Sequence, residues 1–384
     1  MSKRVTRTFT VLMTLAIIFI LAVTLFFAGY NYVREQDKRI KFLQERVSEA
    51  SAKGEKLFNS ETPDAVEITI ERSYSSSEIA DELYKKGLIK NKTMFKLLSK
   101  INGFDGDYQA GNHYLTPELS YDEIMYMLTI IPEPIKITFV EGMTYKQMQE
   151  KMIEAGLKIN VERMDSLVEK PNLFIDYDFV RELAKHKDRK WKLQGYLWPD
   201  TYQFDSQMDE ETILRVFLSN TEHKLQEGEE YKERAEERGL TMDQVVTLAS
   251  LVQAESNVAQ MNKIARVFLN RIDNEMPLQS CASINFLRME EGQDPIPWAA
   301  TSDIEKYKDN LYNTYSNAGL PPGPINNPGI IAIESVLWPA TERTWSGASS
   351  YLYFCADGKG NNVFSFTLEE QEENIQKYQA EWNQ

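Results

Sequence analysis

The segment Thr241-Met-Asp-Gln-Val-Val-Thr-Leu-Ala-Ser-Leu-Val-Gln-Ala-Glu-Ser256 predicts an amphipathic helix with a carboxyl group on its apolar side. Thr241 suits the N-cap, and Asp243 suits the first turn. At about 100° per residue, the apolar face contains Val245, Leu248, Leu251 and Val252. Glu255 lies one turn after Leu251, so it falls within this face. A carboxyl among apolar neighbours holds its proton to higher pH, as a general acid must.

A structural role for Glu255 is the alternative. A buried glutamate can pair with a base instead of acting on a substrate, and Arg266 and Arg271 follow on the next predicted helix, residues 259–272. The periodicity of the sequence does not separate these two roles.

The chain after this helix pair predicts a loop, a stiff segment and a hairpin. Residues 277–281 have the composition of a loop, and the Pro/Gly-rich residues 319–329 form either a fixed cleft wall or a surface loop. Residues 351–355 and 363–366 read as two strands around a turn at 357–360, and a polar helix follows at 368–382. We therefore take residues 241–384 as the region that carries the chemistry.

The chain before it predicts two mixed regions. Residues 66–131 show the order strand, helix, helix, strand and helix, with capping boxes at Ser75/Glu78 and Ser120/Glu123, which predicts a small α+β domain. Residues 132–240 form a connecting α+β region. Its segment 193–202 gathers aromatic residues around Asp200 and is either a sugar-stacking surface or core packing.

The N-terminal region predicts a membrane anchor. Residues 8–33 contain no charged side chain, and this stretch is long enough to cross a hydrocarbon core of roughly 30 Å. A cleaved signal peptide is the alternative, but the apolar run is long and no A-x-A site follows. We expect residues 1–33 to form a cytoplasmic tip and a transmembrane helix, and residues 34–65 a solvated juxtamembrane stalk. The remainder of the chain would then lie outside the cytoplasm.

Composition excludes several other classes of protein. The 384-residue chain has a net charge of −15, which argues against nucleic acid as a partner. Two cysteines, Cys281 and Cys355, and three histidines are too few for a cysteine-rich zinc module or a disulfide-dense scaffold. The two cysteines could form one disulfide or remain free thiols. We expect neither a metal nor a cofactor, so the chemistry must rest on carboxylates, hydroxyls and amides.

Several motifs occur together in one order and resemble those of the YceG-like family of endolytic murein transglycosylases. They are Glu141-Gly-Met-Thr144, Gly195-Tyr-Leu-Trp-Pro-Asp-Thr-Tyr202, Leu248-Ala-Ser-Leu-Val-Gln-Ala-Glu-Ser256, Val267-Phe-Leu-Asn-Arg271, Leu278-Gln-Ser280, Tyr312-Asn-Thr-Tyr315, Gly319-Leu-Pro-Pro-Gly323, Asn327-Pro-Gly329 and Tyr351-Leu-Tyr-Phe354. The resemblance covers about residues 66–380.

The resemblance implies an α+β protein with a transmembrane helix, a LysM-like module and a catalytic domain that has a lysozyme-like helical core plus a β-hairpin. It implies an enzyme of the inner membrane that cuts nascent peptidoglycan strands internally, with peptidoglycan synthases as possible partners. Glu255 takes the position of the family's essential glutamate. The sequence departs from the family at Cys281-Ala282, where relatives often have Asp-Pro, and at Asn362 and Gln371, where histidine is common.

Candidate substrate-binding residues follow from the same comparison of motifs. They are Ser256, Asn270, Arg271, Gln279, Asn313, Tyr315 and Asp200. Two other functions stay open at this stage. One is a hydrolytic muramidase with a second carboxylate such as Asp200 or Glu141, and the other is a non-catalytic peptidoglycan-binding scaffold.

Overall fold

The computed structural model describes residues 3–53, 55–59, 61–132, 134–255 and 257–382. The chain divides after Pro134 into two units, and residues Asp205–Gln207 belong to the first of them. Each unit has its own apolar core. The structure is thus mixed helix and sheet, as the sequence predicts.

The N-terminal residues form one continuous helix, α1 (Lys3–Ala52). In the described part of the chain, it is the one helix that is long and apolar enough to cross a membrane. The helix continues without a break through the charged residues that follow the apolar stretch, because these residues are mostly good helix formers.

The rest of the first unit is built from a strand pair and three helices. They are β1 (Val66–Ile70), α2 (Ser76–Lys85), α3 (Lys92–Ile101), β2 (Gly111–Leu115) and α4 (Tyr121–Leu128). The strands pair antiparallel from Val66 opposite Leu115 to Ile70 opposite Gly111. Both predicted capping boxes form, at the starts of α2 and α4.

The structure differs from the solvated stalk predicted for residues 34–65. Leu43 of α1 is only 3% exposed and belongs to the apolar core of the first unit. Arg39 adds a paired contact to Glu123 of α4, with Nη2 to Oε2 at 2.6 Å and Nε to Oε1 at 3.2 Å. This part of α1 therefore packs onto the α+β domain of residues 66–131 through Leu43 and the Arg39–Glu123 pair.

The second unit has eleven α-helices and two short strand pairs among the described residues. In chain order they are β3 (Ile135–Thr138), α5 (Tyr145–Glu154), α6 (Val161–Glu169), α7 (Asp178–Leu183), β4 (Thr201–Phe204), α8 (Glu210–Glu227), α9 (Glu229–Glu237), α10 (Met242–Glu255), α11 (Met261–Asp273), α12 (Cys281–Glu290), α13 (Thr301–Lys306), α14 (Ile330–Leu337), β5 (Tyr353–Ala356), β6 (Asn362–Ser365) and α15 (Leu368–Trp382). Strand β3 pairs with β4, and β5 with β6, both antiparallel.

Residues 132–240 and 241–384, predicted as two regions, share one core. Asn327 links them, because its Oδ1 accepts from the backbone N–H of Gly195 at 2.8 Å and its Nδ2 donates to Met143 O at 2.9 Å. Asp243 on α10 forms a bidentate ion pair with the buried Arg189, at 3.0 and 2.6 Å. A domain boundary at residue 240 would separate the two partners of each of these contacts.

The aromatic segment 193–202 is core rather than a sugar-stacking surface. Tyr196, Trp198 and Tyr202 are each less than a tenth exposed. Residues 319–329 are likewise mostly buried, so they are not an ordinary surface loop. Close packing also explains Gly329, since a Cβ there would lie 1.9 Å from the carboxyl carbon of Glu141.

Candidate active site

Helix α10 brings Glu255 to the edge of the core as the sequence predicts. Thr241 caps its start, with Oγ1 accepting from the Gln244 N–H at 3.2 Å. The four residues of the predicted apolar face are all buried. Glu255 is the last residue of the helix and is half-buried. Its side chain therefore stands where the packed interior meets solvent.

The Glu255 carboxyl is held by the start of α12. Its Oε1 accepts from the Ser280 hydroxyl at 2.5 Å and from the Ala282 backbone N–H at 3.2 Å. Burial raises the pKa of Glu255 above its ordinary value, whereas hydrogen bonds from Ser280, Ala282 and Cys281 act in the opposite direction. The raised pKa favours a protonated carboxyl, which can donate a proton.

Ser280 is itself fixed by a buried group of hydroxyls. Its backbone N–H donates to Thr314 Oγ1 at 3.0 Å, and the Ser283 hydroxyl donates to the Ser280 carbonyl at 2.8 Å. Ser283 and Thr314 also share a hydrogen bond at 2.8 Å. Sequence reasoning missed Ser280, Ser283 and Thr314 as site residues. The signal for Ser280 and Thr314 was present in the motifs Leu278-Gln-Ser280 and Tyr312-Asn-Thr-Tyr315, whereas Ser283 lies in neither motif.

The arginines near Glu255 do not pair with it. Arg271 donates to the carbonyls of Leu352, Pro277 and Leu278 at 2.6, 3.0 and 2.9 Å. Arg266 donates to Ala340 O at 2.7 Å. The structural ion pair considered for Glu255 is therefore wrong, because both guanidinium groups are engaged by backbone carbonyls. No charged side chain is among the influences on the pKa of Glu255 in the described residues.

Arg271 shapes the loop that carries Ser280. Besides the carbonyls, its Nη1 donates to Gln279 Oε1 at 3.1 Å. Gln279 is exposed and has φ 51°, a left-handed conformation that costs a non-glycine residue free energy. The Gln279 N–H donates to Thr314 O at 3.0 Å, which secures the turn from the other side. Arg271 thus acts on Glu255 through the loop and not by direct contact.

Tyr315 and Cys281 lie beside the carboxyl. Tyr315 is half-buried, and its pKa is raised first by burial and then by the nearby Cys281 and Glu255. Burial also raises the pKa of the Cys281 thiol to about 12. Cys281 and Cys355 are both free, so the structure has no disulfide between them.

The two predicted asparagines support the backbone. Asn270 donates to the carbonyls of Ala348 and Tyr351, at 2.8 and 2.9 Å. Asn313 donates to Ile304 O at 2.9 Å and accepts from the Tyr315 N–H at 3.0 Å. Both side chains are buried and hold the segments that surround the site.

Two of the remaining candidate residues, Asp200 and Glu141, make their contacts with residues other than Glu255. The Asp200 carboxylate accepts from the Thr201 N–H at 2.7 Å and from Asn220 at 3.1 Å. Glu141 is exposed and packs against Gly329. Ser256 lies outside the described residues. Among those described, no cluster of three histidine, cysteine or acidic side chains could hold a metal ion.

The β5–β6 hairpin contacts the C-terminal end of α10, where Glu255 lies. The Asn362 amide donates to Glu255 O at 3.1 Å, and the Asn362 N–H donates to Gln260 Oε1 at 2.6 Å. The Gln371 amide donates to Phe354 O at 2.8 Å within the hairpin region. Asn362 thus supports the backbone of Glu255, whereas Gln371 supports the backbone of strand β5.

Comparison with known proteins gives consistent matches over most of the chain. A model of the YceG-like family matches residues 68–377. The endolytic murein transglycosylase of Bacillus subtilis is 31% identical over 337 residues, 83% of this chain and 86% of that protein. The endolytic murein transglycosylase of Streptococcus pneumoniae D39 is 29% identical, over 82% of this chain and 58% of its own length. A crystal structure of a YceG-like protein of Listeria monocytogenes aligns with a TM-score of 0.55 and 26% identity, over 81% of this chain and 99% of that one.

Proposed function

Because this chain belongs to the YceG-like family, we propose that it is an endolytic murein transglycosylase in which Glu255 is the single general acid and base. The names of the relatives from Bacillus and Streptococcus support peptidoglycan as the substrate. The observation that carries the role of Glu255 is its setting: a half-buried carboxyl with a raised pKa, held by Ser280 and Ala282.

In the first step, protonated Glu255 donates its proton to the glycosidic oxygen between N-acetylmuramic acid and N-acetylglucosamine. The bond from the muramoyl C1 to that oxygen breaks, and positive charge develops on the muramoyl ring. The Glu255 carboxylate that remains is stabilised by the hydrogen bonds from Ser280 and Ala282. General acid catalysis of this kind is worth about 10²- to 10⁴-fold in rate.

In the second step, the muramoyl C6 hydroxyl attacks C1 and gives its proton to ionised Glu255. A C1–O6 bond forms, the product carries a 1,6-anhydro end, and Glu255 is protonated again. The substrate supplies its own nucleophile, so a second carboxylate is not needed. Support comes from the partners of Glu255, which among the described residues include no second carboxylate.

The proposal extends to the place of the enzyme in the cell. The long apolar helix α1 supports an anchor in the inner membrane, with the N-terminus in the cytoplasm and the catalytic unit outside, where peptidoglycan lies. There it would limit the length of nascent strands, next to the peptidoglycan synthases that make them. The β1-α2-α3-β2 order supports a LysM-like module, and the helices around α10 support a lysozyme-like core.

The test is a Glu255→Gln variant given purified glycan strands, followed by mass spectrometry of the strand ends. We expect wild type to release anhydro-ended fragments and Glu255→Gln to lose at least about 100-fold in rate, because Gln cannot donate the proton. Glu236→Gln, on the exposed side of α9, is the matched control and should match wild type.

Other results would favour the remaining functions. Reducing ends without anhydro ends would indicate a hydrolytic muramidase. Strand binding with no cleavage by wild type would indicate a scaffold. Equal cleavage by wild type and Glu255→Gln would remove Glu255 from the acid role.

A further inference from the structure

Helix α3 has an apolar stripe on the surface of the first unit. Met94, Leu97 and Ile101 are 46%, 54% and 69% exposed. Because they are spaced three and four residues apart, they share one side of the helix. Phe95 points to another side and is fully buried, with its ring centroid 6.4 Å from that of Tyr121 on α4. The stripe therefore lies outside the core of this unit, as a binding face does.

The segment that carries the stripe is basic, although the whole chain has a net charge of −15. Residues 83–104 contain no acidic side chain, and their charged residues are Lys85, Lys86, Lys90, Lys92, Lys96 and Lys100. Lys92 pairs with Asp81 of α2 at 2.8 Å, whereas Lys96 and Lys100 are exposed. A surface with this excess of lysine attracts anionic groups.

Contacts between α1 and α4 show which end of the first unit is nearest the uncharged stretch of α1. Arg39 of α1 donates to Glu123 in the first turn of α4 at 2.6 Å. Lys56, after the end of α1, donates to the carbonyl of Ile131, after the end of α4, at 2.9 Å. The two helices therefore run in the same direction. Arg39 follows Val33 by six residues, so the start of α4 lies about 9 Å along α1 from the end of the uncharged stretch.

Helix α3 is bound to this same end of α4. Before α3, the backbone N–H groups of Lys90 and Asn91 donate to the Tyr121 hydroxyl at 3.0 and 2.8 Å. After α3, the Asn102 amide donates to the Asp122 carboxylate at 2.7 Å. Both ends of α3 thus lie beside the first turn of α4. Since the headgroup layer of a bilayer extends about 5 to 8 Å beyond the hydrocarbon on each side, α3 would lie close to that layer.

We propose that α3 docks on the surface of the bilayer that α1 crosses, with its apolar stripe in the headgroup layer and Lys96 and Lys100 at anionic lipid phosphates. This inference rests on the membrane anchor of the proposed function and not on the chemistry of Glu255. An apolar helix face with lysines beside it is typical of segments that bind a surface of anionic lipid. Because α1 keeps α3 near the lipid, a weak contact is enough to hold it there.

The experiment uses the full chain in nanodiscs of phosphatidylcholine, with and without phosphatidylglycerol. A nitroxide label is attached at Ile101→Cys after Cys281→Ala and Cys355→Ala have removed the native thiols. Collisions with oxygen report lipid around the label, and collisions with a water-soluble nickel chelate report water. The matched control is Ile131→Cys, because Ile131 is 71% exposed but lies beyond the other end of α4. We expect oxygen collisions to dominate at position 101 and nickel collisions at position 131.

The contribution of charge is measured with Lys100→Gln. One lysine near an anionic membrane is worth about fivefold in binding, so the ratio of lipid-exposed to water-exposed label at position 101 should fall by about that factor in discs with phosphatidylglycerol. In discs of phosphatidylcholine alone the ratio should change little. Lys53→Gln, at an exposed lysine just after the end of α1, is the control and should change neither ratio.

A third label, at Leu21→Cys in the uncharged stretch, separates this inference from the anchor on which it rests. Oxygen collisions at position 21 together with nickel collisions at position 101 would overturn the docking of α3 and leave the anchor standing. Nickel collisions at position 21 would overturn the anchor, and the docking with it. A label at position 101 that leaves water only when glycan strands are added would assign the stripe to the strand and contradict docking on lipid.

Discussion

At the scale of single residues, the Ser280 hydroxyl affects the pKa of Glu255. Ser280 donates to Glu255 Oε1, and this bond lowers the pKa of Glu255 while burial raises it. Removing the hydroxyl in Ser280→Ala leaves burial less opposed, so the pKa of Glu255 rises. A general acid works only while protonated, so the alkaline limb of the pH profile should move to higher pH.

The same substitution should lower the maximal rate. A hydrogen bond to an ionised group is worth about 1.5 to 3 kcal/mol, which corresponds to roughly 10- to 100-fold when it positions the acid and stabilises its carboxylate. The measurement is kcat/KM against pH for wild type, Ser280→Ala and Ser280→Thr. Ser280→Thr keeps a hydroxyl, so the alkaline limb of its pH profile should stay near the wild-type pH. A limb that moves to lower pH in Ser280→Ala would contradict this account.

At the scale of elements, the geometry of the site depends on the hydrogen bonds between helix α11 and the loop of residues 277–280. Arg271 on α11 binds three backbone carbonyls and Gln279 Oε1 through one guanidinium. Lysine would keep the charge but lose the planar fork of donors. We expect Arg271→Lys to lower the free energy of unfolding by about 2 to 4 kcal/mol and to reduce activity, because the Ser280 loop loosens.

Chemical denaturation and strand cleavage measure these two effects. Arg266→Lys is the control, since Arg266 donates through Nε to the single carbonyl of Ala340 and should lose less. Equal losses in the two variants would contradict a special role for Arg271.

The elements also show how far the sequence could predict this site. The period of α10 was enough to place Glu255 on its apolar face, because helix geometry is local. The partner of Glu255 is Ser280, which is reached through a loop with a left-handed residue at Gln279. Asn270 has an amide side chain of the kind that can bind a sugar, but this amide donates to the carbonyls of residues 348 and 351. Contacts of such sequence separation depend on the assembled fold, and no local pattern encodes them.

At the scale of the whole chain, helix α1 and the rest of the first unit form one folded body. Leu43 contributes to the core of that unit, so Leu43→Ala should destabilise it by about 2 to 5 kcal/mol. Phe42→Ala, at an adjacent position that is 62% exposed, should change stability by about 0.5 kcal/mol or less. Hydrogen exchange of the β1 and β2 amides in detergent measures the difference. Equal protection in both variants would contradict the packing of α1 on the module.

This continuity of α1 has a mechanical consequence. Leu43 lies ten residues after Val33, so the helix rises about 15 Å between the end of the uncharged stretch and the packed core. When that stretch lies in a bilayer, the domain of residues 66–131 is held at a fixed distance from the lipid. It can rotate only together with α1. The first unit is then joined to the membrane-length helix by a rigid connection and not by a flexible tether.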